Sequence, residues 1–247
     1  MDPAVLREDM VDGLQHASKG VLSDQAVATA MRTVPRRPFC PPEVDPYADR
    51  HYRQHGTRVL SPRMAARILQ AAAPQPGESV LIVGAGVGYT VALAAEIVGE
   101  TAVHAVDISR RLVWTARENL ESAGYDGVLV DRCDGANGLP AYAPFDLIVV
   151  EAAVVSPPER LRSQLAPGGR LVYPAGTTPQ RLTVVSEDGQ TTHGLVTLAP
   201  LLVAGEEPDA IERDRTVRED DEYALQRGSR RRGWELEWID WEGSDVR

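Results

Sequence analysis

The chain of 247 residues holds two cysteines, Cys40 and Cys133, and one lysine, Lys19, among its 26 basic residues. Two cysteines so far apart frame neither a disulfide scaffold nor a structural zinc site. The shortage of lysine beside abundant arginine reads as a coding preference rather than chemistry. No apolar run reaches the roughly 18 residues of a membrane-spanning helix. The opening MDPAVLRED lacks the apolar core of a secretory signal, so a soluble, cytoplasmic protein is expected. Positive charge is not in excess either: 36 acids stand against 26 bases, a formal charge of −10. That balance argues against a nucleic-acid partner or an anionic membrane surface. The five histidines show no metal-ligand spacing, and no Ser-His-Asp or Cys-His set is visible. What is present is a hydrophobic fraction of 43%, enough for a buried core. The length allows one α/β domain with appendages, or two small domains.

Residues 4–33 read as two short helices, broken at Ser18-Lys19-Gly20. Residues 34–58 show no period and read as a surface-hugging segment, because the prolines of VPRRPFCPPEVDP break helices. The pattern at 61–73 is helical, with Ser61 as N-cap and Pro62 at the first helical position. A regular alternation follows: strands at 79–83, 102–106, 128–130, 146–150 and 170–173, and helices at 89–98, 110–123 and 158–165. It predicts parallel pairing through right-handed crossovers, with helices on both faces. Segments 182–185 and 195–202 follow without a helix between them and predict an antiparallel hairpin turning at 187–190. The expected fold is a Rossmann-like, doubly wound, mostly parallel sheet with this C-terminal hairpin. It divides into an N-terminal helical and substrate-side segment (1–60), a cofactor-binding core (61–204) and an extension (205–247). The extension carries 14 acids against 8 arginines and holds Trp234, Trp238 and Trp241. These tryptophans are expected to dock on the chain's own core; the alternative is an acidic, aromatic contact for a basic peptide or a second subunit. Nothing in the sequence specifies an oligomeric state.

The most informative segment is VLIVGAGVGYT, where Gly84, Ala85, Gly86, Gly88 and Tyr89 follow a strand and open a helix. Glycines there let the chain turn sharply and let a ligand approach the backbone. Asp107, with Ile108 after it, ends the next strand 23 residues after Gly84. An acid at that place accepts from ribose hydroxyls in nucleotide-binding α/β folds. Asp134 and Gly135 follow the third strand, either beside an adenine pocket or as a plain Asp-Gly turn. The spacing is G-x-G-x-G, common in enzymes that bind S-adenosyl-L-methionine, rather than the G-x-G-x-x-G of dinucleotide enzymes.

Further motifs appear in order: VPRRPF, Tyr47-Ala48-Asp49-Arg50, Pro62-Arg63-Met64-Ala65-Ala66-Arg67, VGAGVGY, CDG at 133–135, PFDLIVVEAA and LAPGGRLVYPAG. Together they resemble the protein-L-isoaspartate O-methyltransferases, a family of class I S-adenosylmethionine-dependent methyltransferases, over about residues 34–202. The resemblance implies methyl transfer to the carboxylate of an isoaspartyl residue in a damaged protein. It also implies departures. The family pattern Thr-x-Ser-x-Pro falls on Arg58-Val59-Leu60-Ser61-Pro62, so Leu60 stands where the serine is expected and Ser61 lies one residue later. Ser61 either takes over the lost hydroxyl or serves only as the helix cap. Ile82 stands where the class places an acid. Glu151 stands where the family has a small or hydroxylated residue; it substitutes for that acid, meets a substrate cation, or is merely solvated. His55, with Arg58, Val59 and Pro62, is placed on the acceptor side, in a loop that is either anion-binding or simply polar. The expected function is carboxyl O-methylation of isoaspartyl or aspartyl residues in proteins or peptides. The alternatives are an enzyme dedicated to one maturing peptide, or a catalytically altered relative that binds the cofactor or a partner protein.

Overall fold

The computed structural model describes residues 2–16, 20–204 and 206. The chain divides into two units, Met1–Val203 and Ala204–Arg247. Beyond Ala204 and Glu206 the second unit lies outside the described residues, and so do its three tryptophans.

Two helices come first, α1 (Pro3–Gln15) and α2 (Gln25–Thr33), each opened by an aspartate that accepts a backbone N–H, Asp2 and Asp24. Two short strands, β1 (Tyr52–Gln54) and β2 (Thr57–Val59), pair antiparallel around His55 and Gly56, both at positive φ. α3 (Pro62–Ala72) is capped by Ser61, whose side chain accepts from the Met64 N–H at 3.2 Å. Then come β3 (Val80–Val83), α4 (Tyr89–Val98), β4 (Val103–Asp107), α5 (Arg110–Ala123), β5 (Leu129–Arg132), β6 (Phe145–Val150), α6 (Glu159–Arg162), β7 (Leu165–Ala175), β8 (Gln180–Ser186) and β9 (Gly189–Val196). The sheet order is β5-β4-β3-β6-β7-β8-β9, parallel from β5 to β7 and antiparallel from β7 to β9.

Alternate side chains of β3 go to opposite faces. Val80 and Ile82 join the core formed with α1 to α5, while Leu81 and Val83 join a smaller cluster with Phe145, Ile148 and Leu161. The fold class is therefore the expected doubly wound α/β arrangement, with unequal faces.

Four elements differ from the sequence expectation. The 34–58 segment is not merely surface: Val34, Arg36 and Phe39 are fully buried, and β1–β2 lies within it. The helix expected at 158–165 is one turn, α6. The strand expected at 170–173 is longer at both ends, β7. The last hairpin strand is Gly189–Val196, not 195–202, because the register pairs Ser186 with Gly189 across a two-residue turn. β9 is a solvated edge strand whose polar residues carry no apolar signal, so the following leucines were the more visible strand-like run.

Candidate active site

In an open α/β sheet ligands bind beyond the carboxyl ends of the strands, where the strand order reverses. Here that point lies between β3 and β6, and the glycine loop leaves β3 there. Gly84 sits at φ 93, a conformation a side chain strains to adopt, so the turn out of β3 requires glycine at this position. The Ala85 N–H donates to Val106 O at 2.9 Å, pinning the loop to the end of β4. Gly88 opens α4, and Tyr89, its first residue, is buried against Phe39 with ring centroids 5.6 Å apart.

Asp107 organises the loop. One carboxylate oxygen accepts from the Gly86 N–H and the other from the Ser109 N–H, both at 2.9 Å. The residue is only 7% exposed, and burial pushes its pKa up while the backbone hydrogen bonds pull against that shift. Each oxygen keeps a lone pair for a further donor. Ile108 is half-buried beside it. Asp134 accepts from the Ala136 N–H at 2.9 Å and so starts a 3-10 turn after β5. Gly135 is needed for a close approach: a Cβ there would lie 2.5 Å from Val83 Cγ1.

Glu151 follows β6 and donates its N–H to Val83 O at 2.8 Å. Its Cβ lies 3.6 Å from where a Cβ on Gly84 would stand. Its Oε1 is buried with no hydrogen-bond partner. Burial pushes its pKa up to about 7, against a hydrogen bond from the Thr90 hydroxyl, and the Asp107 charge adds to the rise. The structure thus brings together Gly84, Ala85, Gly86, Asp107 and Glu151 around one loop. Ile82 is fully buried in the helix-covered core.

The residues expected on the acceptor side lie on β2, in the turn before it and at the entry to α3. Val59 turns into the core, Pro62 is buried, and Leu60 is half-buried against the core. Arg58 donates through Nη1 to Thr197 O at 3.0 Å. His55 occupies the β1–β2 turn at φ 50. Ser61 holds the cap hydrogen bond described above and keeps its hydroxyl proton for another partner.

Sequence reasoning missed three residues. Ser109 follows Asp107 and caps α5. Thr90 sits two residues into α4 and faces Glu151. Arg36 is fully buried, donates through Nε to Pro46 O at 2.8 Å and through Nη2 to Leu60 O, and lies 4.3 Å from the Tyr89 ring centroid. Its signal was in VPRRPF, where one of two adjacent arginines turns inward. Among the described residues no group of three or more His, Cys, Asp or Glu could hold a metal ion, and no helix is long and apolar enough to cross a membrane.

Sheet order, glycine loop and buried acid define an α/β protein built to hold a nucleoside cofactor at its topological switch point. Residues 6–200 match the family model of protein-L-isoaspartate(D-aspartate) O-methyltransferase. The protein-L-isoaspartate O-methyltransferase of Aeropyrum pernix is 45% identical over 183 residues, covering 72% of this chain and 70% of the relative. That of Methanococcoides burtonii is 39% identical over 189 residues, covering 73% and 93%. A solved protein-L-isoaspartate O-methyltransferase superposes with a TM-score of 0.70 at 25% identity, over 78% of this chain and 65% of that one. A Plasmodium falciparum protein described as a beta-aspartate methyltransferase, solved with S-adenosyl-L-homocysteine, shares the fold with a TM-score of 0.71 at 22% identity, over 79% and 98%. This chain belongs to the protein-L-isoaspartate O-methyltransferase family.

Proposed function

We propose that the protein transfers the methyl group of S-adenosyl-L-methionine to side-chain carboxylates of isoaspartyl or aspartyl residues in proteins or peptides. The observation that carries this reading is Asp107, set by the Gly86 and Ser109 N–H groups beside the glycine loop of a chain in this family. The residues fit the cofactor on physical grounds: a loop of positive-φ glycine, a preset acid and an unpartnered buried carboxylate oxygen lie together at the carboxyl ends of β3, β4 and β6.

In this reading Asp107 accepts from the ribose hydroxyls. Ala85 and Gly86 let the ligand approach the backbone, and Gly88 and Tyr89 close the loop onto α4. Ile108 lines one side of the adenine, and Asp134 and Gly135 border its edge. On the acceptor side, Ser61 offers its free hydroxyl proton, Arg58 its remaining N–H groups and His55 its ring, while Val59, Leu60 and Pro62 shape the wall. The bound cofactor supplies an already activated methyl group, and a carboxylate is nucleophilic at neutral pH without a general base. The protein's share is positioning and exclusion of water.

The division into 1–60, 61–204 and 205–247 belongs to the same reading; the family match over residues 6–200 supports the boundary near 204 and runs across that at 60. Free cysteines, Cys40 and Cys133, support action in a reducing compartment, the cytoplasm. Leu60 in the expected hydroxyl position favours a second acceptor, an aspartate in one maturing peptide. The test is labelled cofactor with an isoaspartyl peptide and its aspartyl twin. A base-labile methyl ester on the first supports repair, and one on the aspartyl twin alone supports the dedicated enzyme. Cofactor binding without ester on either would overturn catalysis on these acceptors and leave a binding protein.

A further inference from the structure

With ribose at Asp107 and adenine beside Asp134, as proposed above, the strand order sets the direction in which the cofactor lies across this sheet. Its ribose goes to Asp107 at the end of β4, and its adenine goes outward toward β5 and Asp134. The substituent on the ribose therefore runs the other way, over β3 and β6. For S-adenosyl-L-methionine and its demethylated product that substituent ends in an α-amino acid, whose ammonium is a full positive charge. A buried ammonium needs an anionic partner. Position 82, where such an acid is expected, is occupied by a buried isoleucine.

Val149 pairs with Ile82 and Val150 with Val83 in the parallel ladder. Glu151 lies two residues beyond Val149. By the alternation of a strand, it leaves β6 toward the same face as Ile82, the face that α4 covers. That is where Thr90 of α4 meets it. Relative to position 82, its carboxylate is one strand over and one pleat closer to the rim, against Gly84. Thr90 lowers the Glu151 pKa against the effect of burial, and Oε1 is buried and lacks a donor. Buried polar atoms in native proteins are satisfied, so a donor is owed to Oε1.

We propose that Glu151 is the anionic anchor for the α-ammonium of the cofactor's aminoacyl end, taking over from the neighbouring strand the charge that Ile82 lacks. The proposal rests on the cofactor reading above. Glu151 is thus a cofactor-binding residue with a pH response. Free of ligand, it holds its proton up to about pH 7, because of burial and the Asp107 carboxylate at the end of β4. An ammonium opposite it favours the charged form and expels that proton.

The test is calorimetric binding of S-adenosyl-L-homocysteine, which carries the ammonium, and of 5′-methylthioadenosine, which lacks the aminoacyl end, to the full chain and to its Glu151→Gln variant. The variant is expected to bind S-adenosyl-L-homocysteine about tenfold to a hundredfold more weakly, as for a lost charge-assisted hydrogen bond. Its affinity for methylthioadenosine should be unchanged, which also shows that it has folded. With the full chain, S-adenosyl-L-homocysteine affinity should rise as pH goes from 6 to 8, with proton release near pH 6.5, and the rise should be absent in Glu151→Gln. An unchanged affinity ratio between the two ligands, or a pH response that survives in the variant, overturns the anchor while leaving the cofactor reading intact. Failure of the full chain to bind either ligand overturns both.

Discussion

Asp107 uses both carboxylate oxygens on backbone N–H groups, so its carboxylate is held in place for the ribose role proposed above. Replacing Asp107 with alanine removes the proposed ribose acceptor and strips the Gly86 and Ser109 N–H groups of their partner. Cofactor affinity should fall about tenfold or more, and stability by about 1–3 kcal/mol, without loss of the fold. Calorimetric binding together with a urea titration reads both; unchanged affinity would sink the ribose role. Glu151 carries a separate prediction for the protein without ligand. Its pKa is about 7 in the fold against 4.5 ordinarily. The folded state therefore keeps a proton that the unfolded chain releases, and stability falls as pH rises from about 4.5 to about 7. The share of Glu151 in that fall is up to about 3 kcal/mol. It should appear as the difference between the urea midpoints of the wild type and Glu151→Gln, vanishing near pH 4.5 and levelling off above pH 7. Both acids were legible as strand-end residues of an α/β repeat. That Glu151 would be buried was not, because burial of a strand end depends on α4 and the glycine loop folding over it.

At the scale of elements, α3 separates two jobs for one hydroxyl. Ser61 caps the helix through the Met64 N–H. Ser61→Ala should cost about 1 kcal/mol of stability, and Ser61→Gly only a few tenths. If the cap is the whole role, methyl transfer by both variants should match the wild type well below their melting temperatures. A loss of turnover shared by Ala and Gly would assign the hydroxyl to the acceptor. The alternating strands and helices between β3 and β6 were readable to within a residue or two, since β3, β4 and β6 are short, mostly apolar runs and each helix has a clear start, while β5, Leu-Val-Asp-Arg, was the faintest. α4 and α5 fall where their periodicity put them, at Tyr89–Val98 and Arg110–Ala123. The elements read poorly are those whose burial is one-sided or absent. β9 is an exposed, threonine-rich edge, and β1–β2 is held by its His55-Gly56 turn rather than by an apolar run.

Across the whole molecule, the sheet has a thick face under α1 to α5 and a thin one under α6, and the described core closes with Leu198 and Leu201 packing back onto it. The acidic extension carries 14 acids against 8 arginines, a net of −6 out of −10. A chain ending at Val203, the limit of the first unit, should fold cooperatively and bind S-adenosyl-L-homocysteine as the full chain does. A cofactor affinity more than about tenfold weaker, a shift of 1.4 kcal/mol, would mean that the site needs the extension. One consequence of Arg36 reaches further. Its guanidinium grips carbonyls of Pro46 and Leu60 and rests on the Tyr89 ring, so it fixes the path of the acceptor loop through main-chain atoms alone. A loop held by its backbone is free to change its side chains without changing its course. If positions 58 and 60 face the acceptor, as proposed above, their side chains can be exchanged to alter acceptor preference while Arg36 keeps the main chain beneath them in place.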